Sequence, residues 1–254
     1  MVEYSCMNVK NGLSAFFQGT ITKKTMLTRL IPLILAILGV TIFIANFVFP
    51  TAYDWRYMVL SALSEPGDNP AGYLFPTIGM TIAGLLMIPF PGYYQKKLGK
   101  ICRGSTGVGS FFMIVAIVGM IGLSTISLVV TGIKNFHEIL AGLAFIGIIF
   151  AGSFYGCPII KDNAKGAKQF NMRLFRISMI VMWSPVVGMA ASALYIAIVN
   201  PPWSWTGFSW IAMGVPPWMS FAFWEWLLFV AVLAFVVMLA IMVPENVTPF
   251  ERQK

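Results

Sequence analysis

Nine acidic side chains and one histidine are all the carboxylate and imidazole side chains this chain has for moving protons or holding a cation. They are unevenly placed. The densest patch runs Tyr53-Asp54-Trp55-Arg56-Tyr57-Met58-Val59-Leu60-Ser61-Ala62-Leu63-Ser64-Glu65-Pro66-Gly67-Asp68-Asn69-Pro70. Asp54, Glu65 and Asp68, with carbonyl oxygens, are the types that gather a hard cation, but their spacing matches no metal loop. His137-Glu138 opens an apolar run. Glu138 suits the first turn of a helix, where the dipole favours negative charge. A catalytic zinc built on several histidines is excluded, because His137 stands alone; acid–base work or hydrogen-bond donation is left to it. Ser61 or Ser64 with His137 and an acid has the residue types of a hydrolytic triad, although neither serine sits in a Gly-x-Ser-x-Gly elbow. Glu225, in Phe223-Trp224-Glu225-Trp226, is the acid most deeply set in apolar sequence.

The elements around these residues are apolar runs. The chain has 254 residues, of which 58% are hydrophobic and 10% charged, against about 25% charged in a soluble domain. Mean hydropathy is +0.82. About 20 apolar residues cross a bilayer as a helix, and six runs qualify: Leu30–Phe49, Tyr73–Tyr93, Gly107–Val130, Glu138–Ile160, Leu174–Val199 and Phe221–Val243. Unpaired backbone is not tolerated in lipid, and the runs lack the alternation of barrel strands. The expected fold is all-α: a polytopic bundle of six transmembrane helices over residues 30–243, with an N-terminal arm (1–29) and a tail (244–254). Asp54 is expected to cap a short interfacial helix from Trp55 to Ser64. The first 27 residues, with Phe16, Phe17, Lys23 and Lys24, either lie on the membrane surface or form a solvated arm.

Basic residues set the expected orientation. Lys10, Lys23, Lys24 and Arg29 precede the first span. Lys96, Lys97, Lys100 and Arg103 follow the second. Lys161, Lys165, Lys168, Arg173 and Arg176 follow the fourth, and Arg252 and Lys254 end the chain. These are 15 of the 17 Lys and Arg residues; only Arg56 and Lys134 fall on the other side. The positive-inside bias then places both termini in the cytoplasm, in a multi-pass protein assigned to the plasma membrane. The net charge of +8 is explained by this bias, and no nucleic-acid module accompanies it. The sequon Asn246-Val247-Thr248 falls on the inner side and is discounted. Cys6, Cys102 and Cys157 lie at the same side, where thiols stay reduced.

Helix contacts are also legible. His137, Ala141, Ala144, Gly147 and Ala151 form a stripe of small residues on one face of the fourth span, with Gly152 and Gly156 close by. Small residues let helix backbones approach in lipid. Gly107, Gly109, Gly119 and Gly122 of the third span are the matching points. Trp203, Trp205, Trp210 and Trp218 suit an interfacial belt, or a lid over a hydrophobic ligand.

The pattern Tyr57…Leu60-Ser61…Ser64-Glu65-Pro66…Asn69-Pro70 resembles the first luminal loop of the DRAM/Sfk/PGAP-type six-span membrane proteins. A related prokaryotic six-span family of unknown function is similar over Ser61–Asn69. His137-Glu138-Ile139-Leu140-Ala141-Gly142 and Glu225-Trp226 look like the openings of that family's fourth and last spans. The resemblance implies six spans and membrane-lipid remodelling or organisation; it implies no agreed catalytic mechanism.

Three functions fit these residues. In the first, Asp54, Arg56, Ser61, Ser64, Glu65, Asp68, Asn69, His137 and Glu225 form an outer pocket for a lipid head group, without metal or cofactor. Membrane lipids are then the partners, and whether chemistry occurs is left open. The second is a non-catalytic subunit of a larger membrane complex, binding partner helices through small-residue faces. The third is a small-solute or proton-coupled transporter with Glu225 as the titrating group. The cost of a mid-membrane carboxylate, about 2.5–3.5 kcal/mol, requires Glu225 to point into the bundle in all three, either as a clamp between helices or as a site.

Overall fold

Each apolar run folds as a helix, because only helices and closed barrels satisfy their own backbone in hydrocarbon. The structure, a computed structural model, describes residues 12, 14–129, 134–199, 210 and 214–249, with backbone only for 124–129 and 134–138. Six of its helices are long and apolar enough to cross a membrane. Among the described residues there is no strand. Trp203, Trp205 and the side chain of His137 lie outside what is described.

The first span begins earlier than its apolar run, at Lys23. Thr22 caps it by accepting from Thr25 N–H. A π-helical turn over Met26–Leu30 leads into α1, Ile31–Phe47. Pro32 accounts for the irregular turn: it brings no N–H to the Thr28 carbonyl and its ring crowds that group. The second span is two helices, α2 (Leu74–Met87) and α3 (Pro89–Leu98), interrupted at Ile88. Pro89 and Pro91 deprive the carbonyls of Leu85 and Met87 of their usual donors. Ile88 N–H turns to Leu85 O instead, at 3.3 Å. Then come α4 (Arg103–Val129), α5 (Lys134–Ala164), α6 (Met172–Val199) and α7 (Phe221–Met242). Both α4 and α5 extend past their apolar runs toward the basic end.

Small residues set the packing. A Cβ on Gly119 of α4 would lie 2.6 Å from the Ala144 nitrogen of α5, and one on Gly147 2.7 Å from the Ala116 nitrogen. The two backbones therefore touch along the expected stripe. Gly107 is not part of that contact, since nothing lies within 4 Å of its Cβ position. Gly152 and Gly156 face the other way, against Phe235 of α7 and Phe175 of α6. Gly188 of α6 makes room for the Trp224 indole of α7. Around the bundle α1 packs on α2, α2 and α3 on α4, α4 on α5, and α6 on α7. The last helix approaches the first span closely at the π-helical turn but scarcely along α1 itself. The α1–α7 seam is thus loosely joined. Large apolar side chains such as Phe43, Phe47, Ile114, Ile180 and Leu194 stand exposed on the outside, as lipid-facing surfaces do.

The described part of the arm packs on the bundle. Residues 14–17 are helical, and Gly19, at φ +64, sits so close to α3 that a Cβ would be 2.4 Å from Tyr93 N. Only glycine fits there. At the same end residues 244–248 lie across the bundle as a strap. Lys23 Nζ donates to Ile241 O, Lys97 to Glu245 O, and Lys100 to Val247 O at 3.2 Å. Gln169 receives Thr248 N–H at 2.9 Å and is itself held by the Asp162 carboxylate. Val247 of the strap and Val243 just before it are buried.

Candidate functional site

The loop between α1 and α2 closes the end opposite the strap. It is not a single helix from Trp55 to Ser64. Asp54 Oδ1 accepts from Arg56 N–H and bends the chain into a turn over Trp55–Tyr57. A 3-10 helix follows over Leu60–Ser64, with Leu60, Ala62, Leu63 and Ser64 buried. The loop dips into the bundle because its apolar residues need cover and α7 offers anchors. Tyr53 Oη donates toward the Met58 and Val59 carbonyls and accepts from the Trp226 indole at 3.1 Å. Burial pushes the Tyr53 phenol far above its ordinary value. Ser220 caps α7 and donates its hydroxyl to Arg56 O. Tyr57 Oη donates to Val215 O.

Glu225 supplies the innermost anchor. Its Oε2 accepts from Leu60 N–H at 3.0 Å, at the start of the 3-10 helix, and the residue is 7% exposed. The acid does point into the bundle, and its partner is a backbone amide rather than a cation. Glu225→Gln keeps an acceptor and is expected to leave thermal stability in detergent near wild type. Glu225→Ala leaves a buried N–H without a partner and is expected to lose about 1–3 kcal/mol. Equal stability of the two variants would remove Glu225 as the lid's anchor.

Beneath this lid lies a partly open chamber of about 80 Å³. Leu35 and Leu38 of α1, Met80 of α2, Met120 of α4, Ala141 and Phe145 of α5, and Phe229 of α7 line it, with Ser61, Ser64 and Glu225 at its lid end. Its accessible wall is apolar, since the polar groups are turned into the loop. Ser64 Oγ donates to Ser61 O at 2.9 Å. On the outer side of the same seam a groove of about 290 Å³ is lined by Gly39, Ile42, Phe43, Asn46, Tyr53, Trp55 and Trp226.

The structure therefore divides the candidate residues. Ser61, Ser64 and Glu225 meet at the chamber. Asp54 and Arg56 pair with each other, Nε to Oδ1 at 2.8 Å and Nη2 to Oδ2 at 2.7 Å. The guanidinium holds the Asp54 carboxyl below the usual carboxylate range. Asn69 is fully buried as a staple: Nδ2 donates to Ala45 O and Leu63 O, and Oδ1 accepts from Gly72 N–H. Glu65 and Asp68 are exposed, and among the described residues no three His, Cys, Asp or Glu side chains group as metal ligands. The side chain of His137 lies outside the described residues. Sequence reasoning missed Tyr53, Ser220 and Trp226 as anchors. Ser220 carried a signal, a capping residue just before an apolar run. Tyr53 and Trp226 carried none, because the bond that joins them spans 173 residues. No family model, curated protein or solved structure matches the chain.

Proposed function

We propose that this chain is a lipid-interacting membrane protein that takes the end of one hydrocarbon tail between its helices, entering at the α1–α7 seam beneath the first-loop lid. The observation that carries this reading is the apolar chamber of about 80 Å³. An apolar cavity of roughly 150 Å³ stays dry and binds benzene. A chamber half that size suits the end of one acyl or prenyl chain, not a head group. Toward the basic end Ile31, Ile34, Met87 and Val236 line it, which favours holding a tail over conducting a polar solute. The basic clusters Lys23–Arg29, Lys96–Arg103 and Lys161–Arg176 stand at that end, and the positive-inside rule supports a cytoplasmic side for it. The lid then faces outward, in the plasma membrane. The likeness of the first loop to the DRAM/Sfk/PGAP-type proteins supports the same lipid-directed reading.

A phospholipid carrying a diazirine at its tail terminus tests this. Crosslinks are expected on Met80, Met120 or Phe145. Ala141→Phe, which fills the chamber, is expected to abolish them; Ala141→Leu is a milder companion, because overpacking costs about 1–3 kcal/mol. Crosslinks confined to outward residues such as Phe43 and Ile180, unchanged in both variants, would sink the reading.

A further inference from the structure

The groove outside the seam is a second place with its own chemistry. Gly39 opens it: a Cβ there would meet no atom within 4 Å. No helix approaches at that point, so close packing does not call for a glycine, and a glycine inside a helix weakens it. What Gly39 leaves is free space among Ile42, Phe43, Tyr53, Trp55 and Trp226. The aromatic rings mark the depth where hydrocarbon meets head groups. Trp55 is braced there, stacked on Phe223 with ring centroids 5.7 Å apart. Asn46, exposed at the end of α1, puts an amide into the same groove.

Asp54 and Arg56 are the chain neighbours of Trp55, which lines the groove. Arg56 is the more exposed of the pair, with 52% of its side chain accessible against 28% for Asp54. A guanidinium has five N–H donors, and Asp54 takes the Nε–H and one Nη2–H. Among the described residues the remaining donors have no hydrogen-bond acceptor, which leaves them to a phosphate. Asp54 Oδ1 accepts twice from Arg56, but Oδ2 accepts once and keeps a lone pair for an ammonium. A neutral pair with a cationic and an anionic side matches a head group built the same way.

We propose that the groove binds a phospholipid with a zwitterionic head group, one tail lying along Gly39–Phe43, its phosphate on Arg56 and its amine on Asp54. This rests on the reading of a lipid-binding bundle but uses different residues from the chamber, so the two can fail separately.

The test is native mass spectrometry of the full chain in non-ionic detergent, titrated with phosphatidylethanolamine or phosphatidylglycerol. Wild type is expected to retain the zwitterionic lipid about fivefold better, the scale of one charge contact at an exposed site. Asp54→Asn with Arg56→Gln is expected to equalise the two lipids. Gly39→Leu, whose side chain enters empty space, is expected to reduce retention of both while thermal stability stays at wild type or above. Ala141→Phe is expected to keep the head-group preference even where tail crosslinking is lost. Equal retention of both lipids by wild type, a preference for phosphatidylglycerol, or unchanged retention in Gly39→Leu would overturn the proposal.

Discussion

Asn69→Asp is expected to be the most damaging single-atom-scale change in this chain. The side chain is 0% exposed. Its amide nitrogen bridges Ala45 O at 3.1 Å and Leu63 O at 3.0 Å, joining the end of α1 to the 3-10 helix. The aspartate would set a carboxylate oxygen against those two carbonyls, in a place no water reaches. Asn69→Ala removes the repulsion but leaves Leu63 O and Ala45 O without the Asn69 amide, while Gly72 N–H keeps the Asn69 backbone carbonyl at 3.1 Å. At about 1–3 kcal/mol for each buried group left unpaired, even the alanine variant should lose more than about 2 kcal/mol. Gly72→Ala offers an independent check, since its Cβ would fall 2.6 Å from Asn69 Nδ2. Thermal unfolding of the purified chain in detergent reads all three. An Asn69→Ala midpoint within about 2 °C of wild type, where 1 kcal/mol moves a chain of this size by roughly 2–4 °C, would show that the staple is not needed.

The second large effect belongs to the α4–α5 contact. A Cβ on Gly147 would lie 2.7 Å from Ala116 N and 2.8 Å from Phe112 O. These two atoms are backbone, so the helices must separate to admit even a methyl group. Gly147→Ala should cost about 1–3 kcal/mol, and Gly147→Leu more. Gly142 on the same helix is the control: nothing lies within 4 Å of its Cβ position, so Gly142→Ala should be neutral or slightly stabilising through helix propensity. If the two alanine variants melt alike, the backbones are not in contact as described.

The spans, the basic end and the α4–α5 stripe were legible in the sequence because each rests on a local or periodic signal: run length, charge clustering, small residues three to four apart. The cost of burying Glu225 also foretold that it would turn inward. Its partner was not legible, since the amide of Leu60 lies 165 residues away and carries no type signal. The first loop was misread for the same reason. Its residues from Trp55 to Ser64 have helical composition, but Asp54 folds back on Arg56, and the long-range anchors Ser220 and Trp226 pull the following segment into a tighter 3-10 turn. Asn69 looked like a ligand and is a staple; a buried amide and an exposed one read identically in one sequence. The interruption at Ile88 was visible in Pro89 and Pro91 but was absorbed into a single apolar run.

The strap at the basic end has a consequence for biogenesis. Lys23, at the start of the first span, finds its hydrogen-bond acceptors in Ile241 and Glu245. Those acceptors leave the ribosome more than two hundred residues later. The span that begins at Lys23 must therefore wait in the bilayer, incompletely partnered at its basic end, until α7 and the strap have followed it out.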